Sequence, residues 1–192
     1  MEIKLLNKDI VFIKGKKESV LVNPKEKELN DTKLMARIVI FTNENNGKAD
    51  LVGDRVLING AGEYEIGGIE INGINGEDGN TAYRLVVDGF AIVLLGDLQQ
   101  ELTPKRIERI DSTDILIAPT KIGEATSFKL VKDWAKKWGV NYLIPISKED
   151  ESLKLFLDAA DEEGLEEVES LKIEKADDLP DGLEVKLLKK LE

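Results

Sequence analysis

The pattern of apolar and polar positions predicts one strand around which the rest of the chain is organised. Five apolar residues run unbroken from Ala91 to Leu95, and Gly96 and Asp97 end the run. Such a run, rich in branched side chains and bounded by glycine, is typical of a strand buried on both faces. Because α/β proteins often place their chemistry just beyond the end of a buried strand, Asp97 is a candidate functional residue.

The first half of the chain is predicted to consist of short strands joined by turns. Asp88-Gly89 is a strong hairpin signal, and the alternation from Tyr64 to Ile71 around Gly67-Gly68 indicates a second hairpin or a bent strand. Polar segments at 42–48 and 75–80 are predicted as loops. Apolar runs between turn residues predict strands at 10–13, 19–22, 38–41, 55–58, 82–87 and 90–95.

The second half alternates helices with strands. Thr103-Pro104 begins a predicted helix that extends to about Ile110. An amphipathic helix is predicted at 127–138 with one apolar face formed by Phe128, Val131, Trp134, Ala135 and Trp138. The remaining predicted elements are a helix at 149–163 and strands at 115–118, 141–145, 171–173 and 183–188. This order favours one domain over residues 1–192, a layered α+β or α/β sandwich with helices outside its sheets.

Composition narrows the classes of partner. With 192 residues, a net charge of −11 and 42% hydrophobic residues, the chain fits a soluble globular domain. The negative charge argues against binding to nucleic acid and to anionic membrane surfaces. The apolar stretch at the start of the chain is too short for a signal peptide, and charged residues begin too early. No apolar run approaches the ~20 residues of a membrane helix. We therefore expect a cytoplasmic protein with no membrane partner.

The chain contains no histidine and no cysteine. Ser-His-Asp and Cys-His catalysis, disulfides and thiolate metal sites are therefore excluded. A zinc site would have to be built from carboxylates alone, which is uncommon. Magnesium or calcium held by oxygen ligands remains possible.

Four segments carry a resemblance that extends over residues 1–188. They are the strands that end at 22–24, the Gly-Glu-Tyr-Glu segment at 62–69, the segment 94–98 with 101–103, and the pair 114–119 and 143–147. In this order they resemble the metallo-β-lactamase fold, in its small single-domain branch of metal-dependent hydrolases. The resemblance implies a four-layer αββα sandwich, in which two stacked mixed sheets carry outer helices.

The same resemblance implies a metal site whose ligands this chain has lost. Members of the family bind two metal ions through a His-x-His-x-Asp-His loop, further histidines and a bridging aspartate. Here only the bridging aspartate is matched, by Asp97, and the histidine expected after the strand at 73–74 is absent. The other positions of the vestigial pocket are Asn43 and Asn45 for the first two histidines, Gly47 for the aspartate, Lys48 for the third histidine and Ser147 for the last.

Neutral amides and an ammonium group do not replace imidazoles around a transition metal. We therefore expect no catalytic residue, no resident metal and no cofactor, and a Lys48–Asp97 ion pair in the emptied pocket. This favours a non-catalytic binding or assembly module with an unknown protein partner or with itself. Two alternatives remain open: a hydrolase with magnesium on Asp97, Glu44 and the amides of Asn43 and Asn45, and a sensor that reads a small anion with Lys48.

Overall fold

The computed structural model describes residues 1–31, 34–43, 54–76, 78–162 and 164–191. Its strands are β1 (Glu2–Asn7), β2 (Ile10–Lys14), β3 (Ser19–Val22), β4 (Ile38–Ile40), β5 (Val56–Ile58), β6 (Gly62–Ile66), β7 (Ile69–Asn75), β8 (Thr81–Val87), β9 (Phe90–Leu94), β10 (Ile115–Pro119), β11 (Lys121–Ile122), β12 (Ala125–Thr126), β13 (Tyr142–Ile146), β14 (Leu171–Lys172) and β15 (Glu184–Val185). Its helices are α1 (Glu26–Leu29), α2 (Pro104–Ile107), α3 (Phe128–Trp138) and α4 (Asp150–Ala160), with a 3-10 turn at Ala176–Asp178.

The strands form two mixed sheets. The first has the order β14-β1-β2-β3-β4-β5, antiparallel as far as β3 and parallel from β3 to β5. The second has the order β15-β13-β10-β9-β8-β7-β6, in which β6 to β9 form an antiparallel meander and β9, β10, β13 and β15 run parallel. The small hairpin of β11 and β12 stands apart from both.

Apolar side chains from the two sheets meet in one central cluster, so the sheets are stacked face to face. Its members include Ile13, Val20 and Ile38 from the first sheet and Tyr83, Ile92 and Ile117 from the second. A second cluster lies between the other face of the second sheet and the helices α3 and α4. A smaller cluster on the outer face of the first sheet includes Leu29 of α1. The prediction of two stacked mixed sheets with outer helices is therefore confirmed.

Strand β9 occupies the position that its sequence predicts. All five of its residues are buried, between β8 on one side and β10 on the other. The preceding hairpin turn has positive φ at Asp88 (54°) and Gly89 (89°). Because β9, β10 and β13 are parallel, their carboxyl ends lie at one edge of the sheet, and Asp97, Thr120 and Ser147 follow them there.

Several element boundaries differ from the sequence prediction. Helix α2 ends at Ile107, and α4 ends before Asp161, which has φ 59°, rather than at Gly164. The segment 75–80 is not a plain loop: Asn75 belongs to β7 and Asn80 is buried. Trp134 and Trp138 are buried and support the packing of α3. In the part of the chain that the structure describes, no helix is long and apolar enough to cross a membrane.

Candidate functional site

The turn that presents Asp97 is fixed by the side-chain amide of Asn80. Its Nδ2 donates a hydrogen bond to the carbonyl oxygen of Leu95 at 2.8 Å, and its Oδ1 accepts one from the backbone N–H of Asp97 at 3.0 Å. Gly96, between them, has φ +69°, and a Cβ there would lie 2.6 Å from both Asn80 Oδ1 and Thr42 Cβ. A side chain cannot fit at this position, so the closeness of these contacts requires glycine.

Hydrogen bonds between Asn23 and Thr42 form a second contact beside the same turn, and they involve the first sheet. Asn23, directly after β3, has φ 51° and accepts a hydrogen bond from Thr42 N–H at 2.9 Å through its Oδ1. Its Nδ2 donates to Thr42 Oγ1 at 3.0 Å. The carbonyl oxygen of Thr42 in turn accepts from Thr81 N–H at 2.6 Å, at the start of β8. Thr42 therefore links the two sheets beside Asp97.

The carboxylate of Asp97 is held by a lysine. Lys148 Nζ donates to Asp97 Oδ2 at 2.6 Å and lies 3.7 Å from Asp9 Oδ2. Asp97 and Lys148 are about half exposed, at 47% and 54% of their side-chain surface, so solvent weakens this ion pair. Burial acts to lower the pKa of Lys148, but the hydrogen bond and charge of Asp97, with the charge of Asp9, outweigh it and raise that pKa. Lys148 is therefore a firmly protonated ammonium.

Beside this pair, three hydroxyl groups form a chain whose proton directions are determined. Ser147 Oγ donates to the carbonyl oxygen of Glu149 at 2.7 Å and accepts from Thr120 Oγ1 at 2.9 Å. Since the single proton of Thr120 goes to Ser147, the 2.7 Å contact between Thr120 and Ser152 is donated by Ser152. Every hydroxyl proton of the three is committed, which gives Ser147 a structural role in the turn between β13 and α4.

These groups surround a cavity of about 250 Å³ at the carboxyl edge of the second sheet. The described lining contains four acidic side chains and two lysines, a formal balance of −2, from Asp9, Asp97, Glu124, Glu149, Lys121 and Lys148. Lys121, the first residue of β11, pairs with Glu149 at 2.8 Å, and the hydrogen bond and charge of Glu149 raise the pKa of Lys121. The mouth of the cavity is therefore polar and crossed by two ion pairs.

Residues 2–147 match the family described as the β-lactamase superfamily domain. That match spans most of the chain and includes β3, β9 and β13, the strands that Asn23, Asp97 and Ser147 follow. The chain belongs to this family. No curated protein matches the sequence of this chain.

Solved structures agree with the family. A candidate Zn-dependent hydrolase of the metallo-β-lactamase superfamily from Thermotoga maritima has a TM-score of 0.76 at 20% identity, with 98% of each chain covered. A candidate metal-dependent hydrolase from Parabacteroides distasonis has a TM-score of 0.65 at 15% identity, covering 97% of this chain and 93% of its own. The metallo-β-lactamase fold protein YhfI from Bacillus subtilis has a TM-score of 0.62 at 9% identity, covering 98% and 97%. These likenesses establish the fold of this β-lactamase superfamily domain.

The predicted pocket residues are partly placed by the structure. Asp97 and Ser147 line the same cavity. Asn43 pairs with Asn80 in an isolated antiparallel β-bridge. It therefore lies next to the residue whose side chain fixes the turn at Asp97. Asn45, Gly47 and Lys48 lie outside the described residues, as does Glu44. The Lys48–Asp97 ion pair therefore stays a prediction, and the cation that the structure describes at Asp97 is Lys148.

Sequence reasoning misses Lys148, although a signal for it is present. It follows Ser147 directly, at the end of a strand parallel to β10 and β9. Because parallel strands bring their carboxyl ends to one edge, a lysine in this position is expected near Asp97. The buried Asn80 carries no comparable signal, since its segment has the composition of a polar loop.

The donors that the structure describes do not fit the transition-metal site of this superfamily. The carboxylate of Asp97 is bound by an ammonium, and the hydroxyls of Ser147 and Thr120 are engaged with each other. Within the described ranges, no three acidic, histidine or cysteine side chains are grouped to hold a metal ion. The full sequence supplies no imidazole and no thiolate, the ligands that such metals prefer.

Proposed function

We propose that this β-lactamase superfamily domain is a non-catalytic binding or assembly module. The observation that carries the proposal is the Lys148–Asp97 ion pair, because it places an ammonium on the carboxylate that the family resemblance assigns to metal bridging. Two common routes to hydrolysis at neutral pH use a metal-activated water or a side-chain nucleophile with a base. An ammonium on the bridging carboxylate opposes the first of these routes.

The hydroxyl groups of the cavity do not supply an activated nucleophile for the second route. Ser147 donates its proton to a backbone carbonyl and has no imidazole beside it. Lys148 is the nearest basic residue in sequence, but a lysine acts as a base only when its pKa is lowered. Here the pKa of Lys148 is raised, although burial opposes this, since Asp97 holds the ammonium.

The size of the cavity gives little support to a small-molecule ligand. At about 250 Å³ it is slightly smaller than the ~300–1,000 Å³ that is usual for small-molecule sites. The formal balance of −2 among the described lining residues does not favour an anion, but the anion sensor stays an alternative because its Lys48 lies outside the described residues. The oxygen-ligand hydrolase stays an alternative because two of its proposed ligands, Glu44 and Asn45, lie outside the described residues.

The first test is the metal content of protein purified without chelator or affinity tag. We expect less than about a tenth of an equivalent of any divalent ion, since no ligand set for a tight site is expected. Elemental analysis gives the ratio, and esterase, phosphodiesterase and β-lactam hydrolysis assays with added Zn²⁺, Mn²⁺ or Mg²⁺ give activity. Light scattering of the same preparation separates self-association from binding to another protein.

The matched control is Asp97→Asn, which keeps the shape of the side chain and removes its charge. A hydrolytic rate that is present in the natural sequence and lost in this variant would show that the chain is a hydrolase. A stoichiometric ion lost in the variant would show a metal site at Asp97 and would contradict the metal-free module. If the natural protein and Asp97→Asn are both metal-free and inactive, the proposal of a non-catalytic module stands and the oxygen-ligand hydrolase is wrong.

A further inference from the structure

We propose that the Lys148 ammonium is a built-in cation: it fills the space between the carboxylates of Asp97 and Asp9, and its removal opens a site for a hard divalent cation. The inference rests on the proposed function in one respect, the absence of a resident metal ion in the natural protein. It goes further by attributing the absence of a metal ion to the side chain of Lys148.

The position of the nitrogen is the first support. It lies 2.6 Å from Asp97 Oδ2 and 3.7 Å from Asp9 Oδ2. Asp9 precedes β2 in the first sheet and Asp97 follows β9 in the second. One ammonium is therefore within ion-pair distance of two carboxylates from different sheets, and the three groups together keep a formal charge of −1.

The backbone of Lys148 is fixed on both sides, which is the second support. Its carbonyl oxygen accepts a hydrogen bond from Lys8 Nζ at 2.7 Å, from the turn that also carries Asp9. The preceding residue, Ser147, is held by Thr120 Oγ1 and the backbone N–H of Glu149. The side chain starts from a defined point, so less conformational entropy is lost when it reaches the two acids.

The chemistry of the two acids decides which ion would replace the ammonium. Without Lys148, the carboxylates of Asp97 and Asp9 would face each other and lose the cation that now separates them. Carboxylate oxygens are hard ligands that suit Mg²⁺, Ca²⁺ and Mn²⁺. Gln99 also lines the cavity and offers an amide oxygen, whereas the amide oxygen of Asn23 is already engaged by Thr42. Such a site would be weak, because only two charged ligands are present and water would complete the coordination shell.

A second lysine at the same cavity provides a matched control. Lys121 lies 2.8 Å from Glu149, so its ion pair is about as short as that of Lys148. Its side chain is 38% exposed and that of Glu149 is 65% exposed, and no second acid is paired with it among the described ion pairs. Removal of Lys121 changes the charge of the cavity by the same amount but leaves the Asp97–Asp9 site filled.

The experiment is a titration with Mn²⁺ followed by electron paramagnetic resonance, on the full chain and on Lys148→Ala, Lys148→Met and Lys121→Ala. We expect both Lys148 variants to bind one Mn²⁺ about tenfold or more tightly than the natural protein and Lys121→Ala, since a positive charge next to the site is removed. Addition of Asp97→Asn to Lys148→Ala should return binding to the natural level. A Mn²⁺-dependent rise in melting temperature should appear only in the Lys148 variants.

Three results would overturn the inference. One is equally increased Mn²⁺ binding by the Lys148 and Lys121 variants, which would show that only net charge matters. Another is tight binding by the natural protein that Asp97→Asn abolishes, which would also contradict the proposed function. The third is a metal-free natural protein with no gain in the Lys148 variants, which would reject this inference and leave the proposed function standing. Lys148→Met keeps an apolar stem, so one variant remains testable if Lys148→Ala does not fold.

Discussion

At the scale of single residues, the site depends on one position where a side chain is not tolerated. Gly96 combines φ +69° with two contacts at 2.6 Å from the place its Cβ would take, to Asn80 Oδ1 and Thr42 Cβ. Distances this short to a new carbon would force Asn80 to release the turn. Gly89 also has positive φ, at +89°, but a Cβ added there would have no atom within 4 Å.

These two glycines give a stability test. We expect Gly96→Ala to lower the free energy of unfolding by about 3 kcal/mol or more, because steric overlap adds to the backbone strain. Gly89→Ala should cost only about 1–2 kcal/mol, the strain alone. Urea unfolding of both variants measures the difference. Equal losses of unfolding free energy in the two variants would show that the hydrogen bonds of Asn80 adjust freely around a side chain at position 96.

The residues of the site also differ in how well the sequence places them in the fold. The position of Asp97 is predictable because it follows an apolar run, and a buried strand with an acid after its end is visible in the pattern. Lys148 and Asn80 are not, for a physical reason. Their roles depend on contacts with residues 51 and 15–17 positions away, and such contacts are set by the stacking of strands rather than by local sequence.

At the scale of elements, helix ends are the least predictable feature. The sequence predicts that helix α4 continues to the glycine at 164, since glycine is the common terminator of helices, yet the helix ends before Asp161. Asp161 adopts the left-handed conformation, with φ 59° and ψ 35°, in which an aspartate is tolerated but glycine is favoured. Helix α3 does end at a glycine, Gly139, with φ 71°.

The end of α4 therefore predicts a stabilising change. Asp161→Gly should raise the free energy of unfolding by about 0.5–1 kcal/mol, because the left-handed conformation carries no Cβ strain in glycine. Thermal unfolding measures the shift. Gly139→Ala is the reciprocal control at the end of α3 and should destabilise the protein. A loss of stability in Asp161→Gly would mean that the aspartate makes a contribution beyond its conformation.

Strands are predicted more accurately than helices. Runs such as 19–22 and 38–41 are almost wholly apolar, and each forms a strand within one residue of the expected range. Both faces of these strands are buried, which is what an unbroken apolar run predicts for a strand in a covered sheet. The layered architecture follows from their number and order, whereas the register between sheets does not.

At the scale of the whole molecule, polar contacts tie the two sheets together at both ends of β9. At one end, Asp88 accepts hydrogen bonds from the backbone N–H of Lys16, at 3.0 and 3.1 Å. At the other end, Lys148 joins Asp97 to Asp9. The five residues of β9 separate these ends by about 16 Å, from a rise of ~3.3 Å per residue.

The contact at the Lys148 end should have a characteristic pH dependence. The pKa of Lys148 is raised above its ordinary value of 10.5, since Asp97 and Asp9 outweigh the opposing effect of burial. A raised pKa of a cation contributes stability that is complete below 10.5 and is lost as the pH rises through the folded-state value. The difference in unfolding free energy between the natural protein and Lys148→Met should therefore stay constant from neutral pH to about pH 10 and shrink above it.

Urea unfolding at several pH values measures this difference. Lys121→Met serves as the control, because its exposed partner Glu149 should give a smaller effect at every pH. A Lys148 difference that disappears near neutral pH would show that the ammonium does not hold the two sheets.

A cation that is part of the polypeptide also imposes an order on sequence change. A histidine substituted for Ser147 in the present background would stand beside an ammonium that repels a metal ion, and it would break the hydroxyl chain with no benefit. On the proposed role of Lys148, the same substitution can contribute to a metal site only after Lys148 has been replaced. Single histidine substitutions in this sequence should therefore fail to create a metal site while the ammonium is present.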